Sequence, residues 1–159
     1  MVNSKWLNGK LKNPRSGFTL VELLVVITII GILASIGVAS YTKVLATARN
    51  GRRQADLSSL RDALELYYSE NNRYIAIGTT WRAVNETYLD DLTPGYIKVL
   101  PSDPGGAGRE YRCRSASSAQ AYCLEAYLEG VSSTQNTCRK ADGSTIPLQS
   151  GYNYGVGNP

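Results

Sequence analysis

The chain contains no histidine. That removes the commonest general base and the commonest metal ligand. Without one, neither a cysteine nor a serine has its usual activating partner. No other convergent polar motif replaces it, so the chain is expected not to be an enzyme. Cysteine is scarce as well, with three residues, all beyond residue 112. Three cannot all pair, so in an exported domain one pair forms and one thiol is left over. Phenylalanine occurs once against eleven tyrosines. Amphipathic Tyr suits both contact surfaces and the strands of a small domain. Proline is missing from Phe18 to Thr93, so nothing in that stretch forces a helix to kink.

Acids are missing from the first 17 residues, which hold Lys5, Lys10, Lys12 and Arg15. The formal net charge is +4, and without this leader 13 basic residues face 13 acidic ones. The basic balance therefore belongs to the leader, and no nucleic-acid partner is expected for the rest. A near-neutral chain resists close packing against its own copies less than a highly charged one.

After Gly17 the next 22 residues carry a single charge, Glu22. A membrane helix needs roughly 20 apolar residues, and this run is long enough. Positive charges before an apolar run hold that end in the cytoplasm. A carboxylate inside a bilayer segment costs about 2–3 kcal/mol and calls for a partner. Three readings of the run stand side by side: a secretory signal cut near Ala39, an uncut anchor, or a cut before the run.

Gly17-Phe18-Thr19-Leu20-Val21-Glu22, continued by Leu-Leu-Val-Val, resembles the class III signal of type IV pilins and pseudopilins. The resemblance implies that a prepilin peptidase cuts after Gly17 and methylates the new N-terminus, Phe18. It also implies that Phe18, Thr19 and Glu22 serve assembly. An apolar helix cannot readily leave the bilayer with a bare amine and a bare carboxylate. If Glu22 of one subunit pairs with the Phe18 amine of its neighbour, both charges are neutralised and axial register is fixed.

Beyond Ala39 the apolar pattern becomes periodic, at Tyr41, Val44, Leu45, Ala48, Ala55, Leu60, Leu64 and Tyr67. This predicts one helix from Phe18 to about Ser69, reaching roughly 78 Å. The cluster Arg49, Arg52, Arg53 reads as a solvated helix face or as a holder of lipid head groups or a neighbour's acids. Arg52–Asp56 and Arg61–Glu65 have the spacing of same-face pairs. Leu57 to Tyr74 resembles the major pseudopilin of type II secretion and its pilin relatives.

The segment 71–95 reads as an irregular loop, and Tyr96 to Leu100 as a strand. Leu100-Pro101-Ser102-Asp103-Pro104 resembles the calcium loop of major pseudopilins, which offers Leu100, Ser102 and Asp103 as oxygen ligands. Calcium wants six to eight oxygens, several of them carboxylates. Downstream of Asp103 the only Asp is Asp142. The paired acids of that family's C-terminal loop are missing, so no metal site is expected.

Glu110 to Arg114 and Ala121 to Glu129 read as a hairpin, with Tyr122, Leu124, Ala126 and Leu128 alternating onto one face. Folding it about Ser118 sets Cys113 opposite Cys123. Cys138 lies in the loop that follows, and a Cys123–Cys138 bridge would close it much as pilins close theirs. Tyr152 to Tyr154 reads as a short edge strand or a loose end.

The expected fold is α+β, a pilin-like lollipop in which a long protruding N-terminal helix is joined to a small antiparallel sheet. Its parts are a leader at 1–17, a transmembrane or filament-core half-helix at 18–40 and a head at 41–159. The resemblance implies a structural filament subunit whose partners are its own copies, the peptidase-methyltransferase and an inner-membrane assembly platform. It would wait in the cytoplasmic membrane with its N-terminus inside and head outside. From there it would enter an extracellular pilus or, alternatively, the periplasmic pseudopilus of type II secretion. A monomeric, membrane-anchored binding module is the rival of a different class.

Overall fold

The computed structural model describes residues 17–106, 108–140 and 142–158. Of the leader expected at 1–17, residues 1–16, with the four basic residues, lie outside the described residues. The chain divides into two compact units between Tyr41 and Thr42. A single helix, α1, covers Leu20–Asn71, against the expected 18 to about 69.

In the first unit every described side chain is exposed. The helix there is long and apolar enough to cross a membrane, with a mean hydropathy of 2.6 in its best window. Its serine and threonine hydroxyls are satisfied locally. Thr28 donates to the Leu24 carbonyl at 2.7 Å and Ser35 to that of Ile32 at 2.8 Å. Such bonding back to the helix backbone lets a polar side chain sit in an apolar environment.

In the second unit the helix buries one stripe, Arg53, Leu57, Leu60, Leu64 and Tyr67, at three- and four-residue steps. Of the periodic apolar positions, Tyr41, Val44, Leu45, Ala48 and Ala55 are exposed. The buried stripe begins only where the helix meets the sheet, and Leu57 replaces Ala55 in the phase. Fully burying each leucine contributes about 1.5–3 kcal/mol.

The sheet has five strands in the order β1 (Arg82–Ala83), β2 (Arg112–Ser115), β3 (Tyr122–Ala126), β5 (Tyr154–Gly157), β4 (Gln135–Asn136). All pairs are antiparallel except β4 with β5. Every residue of β3 is buried, and Tyr122, Leu124 and Ala126 join the helix leucines in one core. Between β1 and β2 lie a short helix, α2 (Glu86–Leu89), and a 3₁₀ turn at Asp90–Leu92.

Two expected strands are corrected. Tyr96 to Leu100 is a turn: the backbone N–H groups of Tyr96 and Ile97 both donate to the Leu92 carbonyl at 2.9 Å. The Tyr96 ring is drawn onto the helix instead, 5.3 Å from the Tyr67 ring, with its hydroxyl on Glu70. The tail strand starts two residues later than expected, at Tyr154, and is internal, flanked by β3 and β4. Glycine makes that position accessible. A Cβ at Gly155 would lie 2.5 Å from Leu148, and one at Gly157 would lie 2.8 Å from the Cys138 backbone.

The hairpin register is also shifted by one from the expected fold about Ser118. Cys113 pairs with Leu124, and Cys123 pairs with Arg114. Ala116 and Ala121 close a four-residue loop, whose centre falls between Ser118 and Ala119. A one-residue slip turns a side chain to the other face of the sheet. The expected Cys113–Cys123 bridge therefore does not form. Cys123 is bonded to Cys138, with Cα atoms 5.3 Å apart, and Cys113 is a free, buried thiol.

Candidate functional site

Thr19 and Glu22 close the start of α1 on each other. The Glu22 carboxylate oxygen Oε2 accepts from the Thr19 backbone N–H at 2.9 Å and from its hydroxyl at 2.7 Å. The Glu22 N–H donates to Thr19 Oγ1 at 3.2 Å. This is a reciprocal capping box, which satisfies amides that a helix start leaves unpaired. The negative side chain in the first turn also suits the helix dipole. Both residues lie beyond the Gly17–Phe18 bond, so the box is kept whole by a cut there. Among the described residues no group donates to Glu22 Oε1. Phe18 is 79% exposed. The site therefore offers one carboxylate oxygen without a donor among the described residues and an exposed Phe18 four positions away. The Thr-x-x-Glu spacing is a known helix-start signal and would have revealed the box in the sequence.

A second constellation joins three segments of the head. Arg53 is fully buried, one turn ahead of Leu57 on the buried stripe. Its Nε and Nη2 donate to the two carboxylate oxygens of Asp103 at 2.7 and 2.8 Å. Its Nη1 donates to Glu129 Oε1 at 2.8 Å. Arg49 grips Glu129 with two bonds, at 2.8 and 2.5 Å. Asn50 adds bonds to the Glu129 backbone in both directions, at 2.9 and 2.8 Å. The hydrogen bonds from Arg49 and Arg53 hold the Glu129 carboxyl down at about 2. The loop comes in tightly: Gly105 N–H donates to Asp103 at 2.6 Å, and a Cβ there would meet Arg53 at 2.7 Å.

This network corrects the reading of the arginine cluster and bears on the calcium candidates. Of the arginine cluster only Arg52 is a solvated side chain, 3.7 Å from Asp56. Arg49 and Arg53 are bound within the head. The calcium candidates Leu100, Ser102 and Asp103 do not fit a calcium ion, because both Asp103 oxygens are taken by Arg53. Among the described residues no three His, Cys, Asp or Glu side chains gather in a metal-binding group.

The helix acids have another set of partners that the sequence did not suggest. Glu65 accepts from the hydroxyls of Tyr74 and Tyr122, the latter at 2.9 Å, and Asp56 accepts from Tyr111 at 2.7 Å. Burial and the adjacent carboxylates push all three phenols up. Glu65 is thus not the partner of Arg61, which sits 3.2 Å from Asp62 instead.

A family model described as "Prokaryotic N-terminal methylation motif" matches residues 12–38. The chain is 38% identical over 104 residues to type II secretion system core protein G of Aeromonas hydrophila, covering 60% of this chain and 71% of that protein. It is 36% identical over 100 residues to the core protein G of Escherichia coli (strain K12), 59% of this chain and 69% of the relative. To the type IV major pilin protein PilA of Myxococcus xanthus it is 41% identical over 63 residues, which is 39% of this chain and 29% of that protein. No solved structure matches. With the methylation motif at the head of α1 and a core protein G matched over more than two thirds of its length, the chain belongs to the pilin and pseudopilin family.

Proposed function

We propose that this chain is a structural subunit that polymerises with its own copies through the N-terminal helix and carries out no chemistry itself. The peptidase cuts after Gly17, and Phe18 becomes the methylated N-terminus. Before assembly the helix crosses the cytoplasmic membrane once, with its N-terminus inside and the head outside. An assembly platform in that membrane then draws the subunit into the filament.

The observation that carries this reading is the pairing geometry at the head of an exposed apolar helix. Glu22 is held in the first turn by Thr19 through one oxygen and offers the other. A neighbour's Phe18 amine fits that oxygen, and pairing removes two bare charges from a low-dielectric surrounding. The exposed side chains from Phe18 to Leu45 then become contacts between helices.

Within the class, the type II secretion pseudopilin is favoured over the pilus by the extent of likeness. Core protein G is matched over 104 residues, into the head, whereas PilA is matched over 63. The test is filament imaging and cross-linking in the native host. Glu22→Ala should leave the chain in the membrane and abolish or sharply reduce filaments. Unchanged assembly in that variant would overturn the role of Glu22, and a wild-type chain that gives no filaments and no cross-links would favour the membrane-anchored module instead.

A further inference from the structure

Glu125, the fourth residue of β3, is completely buried. Its Oε2 accepts the Gln149 backbone N–H at 2.8 Å, while Oε1 is buried with no partner. Directly across the ladder stands Arg112 on β2, whose Nε is also buried and unpaired. Opposed residues share a face at roughly 4.5–5.5 Å. A donor and an acceptor thus lie unmatched on neighbouring side chains. The other arms of Arg112 are engaged: Nη1 donates to the Gln149 side-chain oxygen, and Nη2 to Glu110 at 3.2 Å. Its guanidinium also lies 5.5 Å from the centre of the Tyr152 ring. The other charged or titratable groups facing Glu125 are Arg114 on β2 and Tyr152 in the tail; β5 opposes it with Gly155.

We infer that Glu125 and Arg112 form a proton-linked latch on the tail segment from Gln149 to Tyr152. With Glu125 neutral, its lone oxygen leaves no charge unpaired, and Arg112 stays on Gln149 and Glu110. With Glu125 ionised, a buried charge without a partner is costly, and the Arg112 Nε–H turns onto Oε1. The guanidinium then gives up the Gln149 side chain and the Tyr152 ring. The cleft of about 400 Å³ that Arg109, Arg112, Tyr127, Gln149 and Tyr152 line changes shape with it. Desolvation lifts the Glu125 carboxyl to about 7, against the pull of the Gln149 N–H and the two arginines. The latch therefore works around neutral pH, where the outside of a cell varies.

The test is a pH titration by nuclear magnetic resonance of the full chain in detergent micelles, from pH 5 to 9. The Arg112 Nε–H, the Gln149 amide and the Glu125 carboxyl carbon should move together with one midpoint near 7. Glu125→Gln should fix the first two at their low-pH positions. A Glu125 carboxyl titrating in the ordinary carboxylate range overturns the inference, even should the glutamine variant not fold. The same movement of Arg112 and Gln149 in a folded Glu125→Gln variant overturns it equally.

Discussion

Arg53 holds both carboxylate oxygens of Asp103, at 2.7 and 2.8 Å, and the two side chains are 0% and 2% exposed. A helix residue and a loop residue 50 positions apart are thereby locked in the interior. Removing one partner of a buried pair leaves an uncompensated charge and costs about 3–5 kcal/mol. Asp103→Ala should therefore destabilise the head by about 3 kcal/mol, moderated by the Glu129 bond that Arg53 keeps. Replacing both residues, with Arg53→Met and Asp103→Leu, should cost less than the single change. Chemical denaturation of the wild type and the two variants checks the order.

Acid should act through Glu129. Its carboxyl is held near 2, against an ordinary 4.5, by Arg49 and Arg53. A depressed folded value contributes stability that is present above pH 4.5 and is lost as pH falls toward 2. Denaturation midpoints measured from pH 6 to 2 should fall across that window. Glu129→Gln should flatten the fall by on the order of 2 kcal/mol. Glu125 acts in the opposite direction: its raised value removes stability as pH climbs from 4.5 toward 7.

The cysteines should divide by register. Cys113 is fully buried, and burial pushes its thiol up to about 12. A thiol reagent should find no reactive cysteine in the folded chain, one after denaturation, and three after denaturation with reduction. The bridge closes a loop of 15 positions, so Cys123→Ser should cost about 3 kcal/mol.

Much of this was legible in the sequence, and for a physical reason. An apolar run that passes into helical periodicity, with no proline in it, specifies a helix by itself, so the expected bounds lie within two residues of those of α1. The hairpin strands showed in their alternation. What failed depended on pairing between distant segments. Register turned on whether the loop centre fell on Ser118 or beside it, a difference of one residue that periodicity does not carry. The internal place of β5 rested on Gly155 and Gly157 allowing close approach, which a tail rich in glycine disguises as looseness. Arg53 looked like one member of a basic cluster. Its spacing to Leu57 puts it on the buried stripe, and Asp103 and Glu129, brought in from distant segments, make burial tolerable.

The family resemblance alone points to Thr19 and Glu22 as assembly residues. The structure adds that they bond to each other. Thr19→Ala should remove the cap and loosen the first turn by about 1 kcal/mol. Faster amide exchange at residues 20–23 of the chain in micelles would show it, with exchange in the head unchanged.

The central claim concerns what happens at Gly17. The most direct measurement is the intact mass and N-terminal residue of the chain purified from its own host. The account predicts a chain that begins at Phe18 and carries one methyl group on its amine. A chain beginning near Ser40, or still carrying Met1, would contradict it.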